Sequence, residues 1–204
     1  MLTFFKRLLA GPKEYDHLFS RAIRFSQNHG LDIPFDKVDS FRSVDLPRKK
    51  LLEKYFLERI GSPPDWRIVC RQCVGFHFSS LGDVSKIVGS KVALTIGAIQ
   101  IGDGPKRFAF NRSEFRRWLK NGVPDLNKIS LHAWLTTQSL EIIDFTFTPS
   151  YMIANGQDLS DLNFTAQHWT EIKNYKYWPI AVGNDIPEKL GLCIPLSFFD
   201  ETNS

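Results

Sequence analysis

Cysteines and long apolar runs are both scarce in this sequence. Three cysteines among 204 residues show no disulfide framework in their spacing, which favours a reducing compartment. The apolar start of the chain contains Lys6 and Arg7, so it is too short and too broken for a secretory signal or a membrane span. These absences predict a cytoplasmic protein with no membrane anchor.

The sequence patterns of common cofactor and metal sites are missing as well. The chain has no Gly-rich phosphate loop and no paired zinc-binding histidines. Cys70 and Cys73 form a Cys-x-x-Cys pair, but a structural zinc site needs a second pair of ligands, and only Cys193 and scattered histidines remain. The surroundings also lack the βαβ pattern of a thioredoxin-like redox pair. We therefore expect neither a metal nor a cofactor.

The chain does contain enough apolar material for one complete core. Hydrophobic residues make up 43% and aromatic residues 13% of the sequence, and no repeat or long linker divides it. These features predict a single domain over residues 1–204. The net charge of +4 permits an anionic partner but does not require one.

Two amphipathic helices are expected at the front of the chain. The first covers residues 14–29, and the second covers residues 47–60 with Asp45 as its N-cap and Gly61 at its end. The apolar residues of their predicted buried faces are Leu18, Phe19, Ala22, Ile23 and Phe25, and Leu51, Leu52, Tyr55, Phe56 and Ile60. We expect residues 1–61 to form a helical N-terminal extension in front of a core of residues 62–204.

A basic helix is predicted over residues 111–121. One face is apolar and the remaining surface carries cations, the two sets being Phe115, Trp118 and Leu119, and Arg112, Arg116, Arg117 and Lys120. A solvated helix face is the commoner reason for such a charge run, and no aromatic stacking platform accompanies it. A phosphate-binding patch is the alternative, and nucleic acid is not the expected partner.

Cys73 is expected at the N-terminus of a helix that ends at Gly89. An apolar stripe of helical spacing follows it: Val74, Phe78, Leu81, Val84 and Val88. At a helix start the dipole and the free backbone N–H groups favour a thiolate, and the same groups can receive an oxyanion. The position suits a cysteine nucleophile. For His77, one turn further on, a structural role is favoured, because its side chain points along its own helix.

Two alternatives to this assignment stay open. Ser62-Pro-Pro-Asp resembles a capped helix start, and a helix running unbroken from there would place Cys73 in its interior. Gly75 and Gly82 disfavour so long a helix. Cys70 is the other candidate nucleophile, although the apolar register prefers Cys73.

Residues 131–147 predict a β-hairpin that carries a histidine and an aspartate. Residues alternate in two strands around the link Thr137-Gln138-Ser139. If the hairpin is centred on Gln138, His132 faces Asp144, with Cβ atoms roughly 4.5–5.5 Å apart. A carboxylate there can hold an imidazole in one tautomer and stabilise its protonated form. A surface cross-strand pair is the alternative.

Together these segments resemble the transglutaminase-like branch of the papain-like cysteine enzymes. The similarity covers residues 66–148: Cys73 and its helix, the strand of residues 92–101 with Leu94-Thr-Ile-Gly-Ala, then His-Ala-Trp-Leu and Ile-Ile-Asp-Phe-Thr. In that superfamily the chain order is cysteine, histidine, aspartate, and bacterial peptidases that remove leader peptides are small relatives of similar pattern. The resemblance implies Cys73 as the nucleophile, His132 as the general base and acid, and Asp144 as the residue that orients the imidazole.

The expected fold is α+β with a papain-like, transglutaminase-like core, in which the nucleophile helix packs on an antiparallel sheet. The expected function is a cysteine hydrolase or acyltransferase that acts on an amide or ester of a peptide or small acyl substrate through an acyl-enzyme. Trp134 shares the His132 face and is the candidate wall of the substrate cleft, although an aromatic side chain on a strand lies in the core more often. The alternative is a non-catalytic domain of the same fold that binds protein or anionic partners through its basic helix.

Overall fold

The computed structural model of this chain describes residues 15–35, 37–70, 72–124, 130–157 and 164–192. Its architecture is α+β, as the sequence predicts. The helices are α1 (Tyr15–Gln27), α2 (Leu46–Ile60), α3 (Cys73–Val88), α4 (Arg112–Asn121), α5 (Phe147–Ala154) and α6 (Ile186–Lys189). The strands are β1 (Val92–Ile101), β2 (Lys106–Arg107), β3 (His132–Thr137), β4 (Glu141–Asp144), β5 (Thr165–His168) and β6 (Tyr175–Val182). Over these residues no helix is long and apolar enough to cross a membrane.

The strands form one antiparallel sheet around β1. Strand β3 pairs with one edge of β1 and β6 pairs with the other, while β2 pairs with β1 beyond the end of β3. Strands β4 and β5 extend the sheet outward from β3. Strand β1 therefore lies inside the sheet, which agrees with its nearly unbroken run of apolar residues.

Helices cover both faces of this sheet. Because successive side chains of a strand point to opposite faces, β1 and β3 contribute to two separate apolar clusters. Leu94 and Leu135 pack with α2 and α3 on one face. Ala93 and Trp134 pack with α1 on the other. The two front helices therefore share their apolar clusters with the strands.

Both front helices lie where the sequence patterns place them. Helix α2 begins one residue early, and its Asp45 N-cap accepts the backbone N–H of Arg48 at 2.9 Å, as predicted. The predicted burial of Leu51 is wrong, because its side chain is 52% exposed. The core contacts of α2 follow a narrower line along Leu52, Phe56 and Ile60. Glu14, the first residue of the predicted α1, lies outside the described residues.

Helix α3 begins at Cys73 and not at Ser62. The described residues between them contain only a 3₁₀ turn, at Trp66–Ile68, so the competing long helix does not form. The buried side of α3 differs from the predicted stripe, since Phe78 is 37% exposed whereas Phe76 is buried. The helix also buries two polar residues, His77 and Ser80, which a search for an apolar stripe does not detect.

The hairpin turn lies one residue later than predicted. Leu135 pairs with Ile143, so the turn is centred on Ser139 rather than on Gln138. The last residue of the turn, Leu140, has a left-handed backbone with a φ of 64°. Glycine and asparagine are the usual residues there, so a buried leucine hides the true position of the turn.

His132 and Asp144 keep a common face despite this change. The side-chain period of a strand is two, and the observed register differs from the predicted one by a whole period. Continued beyond the last pair, the register places Trp134 opposite Asp144. His132 is therefore the diagonal cross-strand neighbour of Asp144, a position from which long side chains still make contact.

Candidate active site

Cys73 is half-buried at the first position of α3. Its thiol donates to the backbone carbonyl of Leu131 at 3.8 Å, which places the sulfur at the start of β3. The N-cap residue, Gln72, provides no side-chain cap to the helix. The first backbone N–H groups of a helix have no intrahelical acceptor, and here no Gln72 side chain caps them. They can therefore receive a negatively charged oxygen.

His132 begins β3 and is 3% exposed. Its Nε2 donates to Oδ2 of Asp144 at 2.7 Å, because an ionised carboxylate only accepts. The ring also hydrogen-bonds with Cys73, and Nδ1 is the nitrogen that remains for that contact. Burial lowers the pKa of His132, but the charge and hydrogen bond of Asp144 outweigh burial, with help from Cys73, and raise that pKa to about 10. The protonated imidazole is therefore favoured at neutral pH.

Asp144 is fully buried at the end of β4 and stays ionised there. Its Oδ1 accepts the backbone N–H groups of Thr146 and Phe147, both at 3.0 Å, where α5 begins. Its Oδ2 accepts from His132 and from the Tyr177 hydroxyl, the latter at 2.9 Å. Burial opposes the charge, but His132 and these donors together hold the pKa of Asp144 well below its usual range.

Tyr177 and Phe108 complete the surroundings of the pair, and no sequence pattern marks either of them. Tyr177 comes from β6, and the alternation of that strand predicts its burial but not its partner. The Phe108 ring lies 5.2 Å from the His132 ring, centroid to centroid. Its backbone φ of 56° is a conformation that bulky residues seldom adopt.

His77 reaches into the site from the second turn of α3. Its Nδ1 donates to the carbonyl oxygen of Cys73 at 2.8 Å, and its Nε2 accepts the backbone N–H of Phe145 at 3.0 Å. The same Nε2 lies 3.7 Å from Oδ1 of Asp144. Burial outweighs the attraction of that carboxylate and lowers the pKa of His77 to about 4, so the ring is neutral at pH 7.

Trp134 does not wall a cleft, which corrects the sequence prediction. Its side chain is fully buried, and its indole N–H donates to the Tyr15 hydroxyl at 2.9 Å. Its ring lies 4.9 Å from that of Tyr177, centroid to centroid. A side chain with no exposed surface offers none to a substrate, so Trp134 is a core residue.

Cys70 is half-buried, and its sulfur accepts a long hydrogen bond from the Ser150 hydroxyl at 3.9 Å. Cys193 lies outside the described residues. Within the described ranges no group of three or more His, Cys, Asp or Glu side chains is arranged to hold a metal ion.

The basic helix forms over Arg112–Asn121, with Phe115 as its buried contact. Its four cations form no ion pair with any residue that the structure describes. The guanidinium of Arg112 lies 5.4 Å from the centre of the Phe25 ring, where partial burial and the charge of Arg21 lower its pKa.

Cys73, His132 and Asp144 thus form a series of thiol, imidazole and carboxylate at a helix N-terminus. Such a series can deprotonate a nucleophile, protonate a leaving group and hold an oxyanion. Comparisons of the chain with protein-family models, curated proteins and solved structures find no match.

Proposed function

We propose that the protein is a cysteine hydrolase or acyltransferase that acts on an amide or ester through an acyl-enzyme. The observation that carries the proposal is the buried His132–Asp144 hydrogen bond of 2.7 Å beside a cysteine at the first position of a helix. The resemblance to the transglutaminase-like branch of the papain-like enzymes points to the same chemistry. In that assignment Cys73 is the nucleophile, His132 the general base and acid, and Asp144 the orienting residue.

In the first half of the reaction the sulfur of Cys73 attacks the substrate carbonyl as a thiolate. A carbon–sulfur bond forms, and the carbonyl electron pair moves onto oxygen, which the free N–H groups at the start of α3 stabilise. When the tetrahedral intermediate collapses, the bond to the leaving amine or alcohol breaks. The leaving group takes the proton from Nδ1 of His132.

In the second half the neutral His132 activates an acceptor. Its Nδ1 takes a proton from water or from an amine as that acceptor attacks the thioester carbon. The carbon–sulfur bond breaks, and the products are a carboxylic acid or a new amide together with the regenerated thiolate. Asp144 stays ionised throughout, because its buried donors disfavour the neutral carboxyl group.

The raised pKa of His132 supports the first step in particular. An imidazolium that persists at neutral pH can stabilise a neighbouring thiolate as an ion pair.

The test is acylation of the free enzyme by an activated ester, followed by mass spectrometry. We expect one acyl group on Cys73 of the wild-type chain and none in Cys73→Ala, whereas Cys70→Ala is the matched control, three residues away, and should be acylated normally. Iodoacetamide at mildly acidic pH should also label Cys73 before Cys70. If iodoacetamide labels Cys70 first, Cys70 rather than Cys73 is the nucleophile. If no reactive acyl donor forms an adduct with the wild-type chain, the proposal is wrong.

A second candidate function is capture of an anionic partner by α4. The observation that favours it is the absence of ion pairs between its four cations and the described residues. Heparin serves as a generic polyanion probe. A binding protein should lose heparin in a salt-dependent way when Arg112, Arg116 and Arg117 are changed to Gln, and Asp144→Asn should have no effect. If the protein is an enzyme without such a surface, the three Arg→Gln changes should leave turnover unchanged, whereas Asp144→Asn should abolish it.

A further inference from the structure

His77 connects the backbone of the candidate nucleophile to the strand that carries the carboxylate. One ring nitrogen donates to the carbonyl of Cys73 itself, at 2.8 Å. The other accepts, at 3.0 Å, the N–H of Phe145, the residue that directly follows Asp144. A single imidazole thus spans the start of α3 and the end of β4.

The connection is specific to one protonation state of His77. A carbonyl oxygen only accepts, so the proton lies on Nδ1, and a backbone N–H only donates, so Nε2 carries none. A second proton on Nε2 would point a donor at the Phe145 N–H. Phe145 is fully buried, so its N–H would be left without an acceptor or water to bind, which is unfavourable.

The charges around His77 favour its neutral form. Asp144 of β4 attracts a proton to the ring, whereas His132 of β3 and Arg59 of α2 repel it. Burial is the largest effect and also disfavours the charged ring, so the pKa of His77 is about 4. Above that pH the ring is neutral, while Asp144 is ionised and His132 stays protonated up to about pH 10.

We propose that His77 is the positioning residue of this site: as a neutral imidazole it holds the start of α3 at the end of β4, and its protonation breaks that link and sets the acid limit of activity. The inference rests on the proposed function of Cys73, His132 and Asp144. His77 touches no substrate atom and acts through the placement of the sulfur relative to His132.

Three variants separate this role from simple packing. His77→Phe can keep the stacking on Phe145, whose ring lies 5.8 Å away at 20°, but it removes both hydrogen bonds. His77→Gln offers an acceptor where Nε2 lies, and His77→Asn offers a donor where Nδ1 lies. We expect His77→Phe to lower kcat about 10- to 100-fold with little change in KM, because a small misplacement of reacting groups has that effect.

His77→Gln should restore kcat to within about tenfold of wild type, and more fully than His77→Asn, because the Phe145 N–H depends on the acceptor while the Cys73 carbonyl also takes part in the helix. Its kcat/KM should also persist to lower pH than that of wild type. If kcat/KM falls at the same low pH in His77→Gln and in wild type, His77 does not set the acid limit of activity.

Two readouts do not require turnover. The rate of Cys73 alkylation by iodoacetamide should fall in His77→Phe and recover in His77→Gln, and this result without any wild-type turnover would uphold the link while the proposed function fails. If the wild type turns over normally and His77→Phe changes neither kcat nor the alkylation rate, the link is wrong while the proposed function stands.

If a variant does not fold, ¹⁵N NMR of wild-type His77 tests the link directly. A proton on Nε2, or a charged ring, at pH 7 overturns the proposal.

Discussion

Five hydrogen-bond donors from described residues converge on the two oxygens of Asp144. Oδ1 receives two backbone N–H groups and the Thr146 hydroxyl, and Oδ2 receives His132 and Tyr177. The two oxygens are therefore not equivalent. The donors from Thr146 and Phe147 hold Oδ1 in place, and the side chains of His132 and Tyr177 contact Oδ2.

This asymmetry determines the effect of Asp144→Asn. The amide oxygen must take the Oδ1 position, because two backbone N–H groups need an acceptor there. The NH₂ group then points at Nε2 of His132 and moves the ring proton to Nδ1, so the ring cannot accept a proton from the sulfur side. We expect kcat to fall on the order of 10⁴-fold, as in serine triads, with the fold intact.

The measurement is single-turnover acylation with an activated ester, with circular dichroism as the check on folding. Tyr177→Phe is the matched control, since it removes one donor to Oδ2 but keeps the charge. A hydrogen bond to a charged group contributes about 1.5–3 kcal/mol, so that variant should lose no more than about 100-fold in rate. An Asp144→Asn protein as active as Tyr177→Phe would remove the orienting role.

At the scale of elements, β1 depends on a glycine where it meets both neighbours. Gly97 pairs with His132 on one side and with Pro179 on the other, beside an irregularity in the β1–β6 register. A Cβ atom at this position would lie 2.0 Å from the backbone oxygen of Trp178. A backbone atom cannot rotate away, so the strands would have to separate.

We expect Gly97→Ala to lower the free energy of unfolding by about 3 kcal/mol or more, because overpacking against backbone is costly. Gly82→Ala is the matched control, since the same methyl group meets nothing within 4 Å on the surface of α3. Alanine in a helix interior is more favourable than glycine by about 0.5–1 kcal/mol, so that change should stabilise the protein. Urea midpoints of the two variants should move in opposite directions, and a neutral Gly97→Ala would contradict the close approach.

At the scale of the whole molecule, three buried groups make stability depend on pH in both directions. The folded pKa of His77 is about 4 against an ordinary 6.5, so the unfolded chain binds the extra proton and stability falls as pH drops from about 6.5 toward 4. The depressed pKa of Asp144 continues that loss at lower pH. His132 has the opposite sign, and its contribution is complete below about 6.5 and is lost as pH rises toward about 10.

Stability should therefore be greatest near neutrality. Urea midpoints at about pH 5, pH 7 and pH 9 check this, and the acid loss from His77 alone should approach on the order of 3 kcal/mol once the pH has reached about 4. His77→Gln removes that group and should flatten the acid side only. A wild-type midpoint that rises steadily from pH 5 to pH 9 would contradict the assigned pKa of His132.

Local signals in the sequence determined the elements and which residues share a face. The cap at Asp45, the helix start at Cys73 and the strand of residues 92–101 lie where caps and apolar spacing predict them. His132 and Asp144 share a face even though the turn lies one residue later, because a strand repeats every two residues and the register moved by a whole period.

Only the tertiary structure decided which partners those faces meet. Tyr177 reaches Asp144 from β6, and Trp134 is covered on all sides rather than exposed at a cleft. Periodicity tells which side of a strand is buried, but it says nothing about which distant strand or helix covers that side. His77 shows the same limit, since its spacing predicts a position on α3, whereas the hydrogen bond to Phe145 exists only because α3 packs against the end of β4.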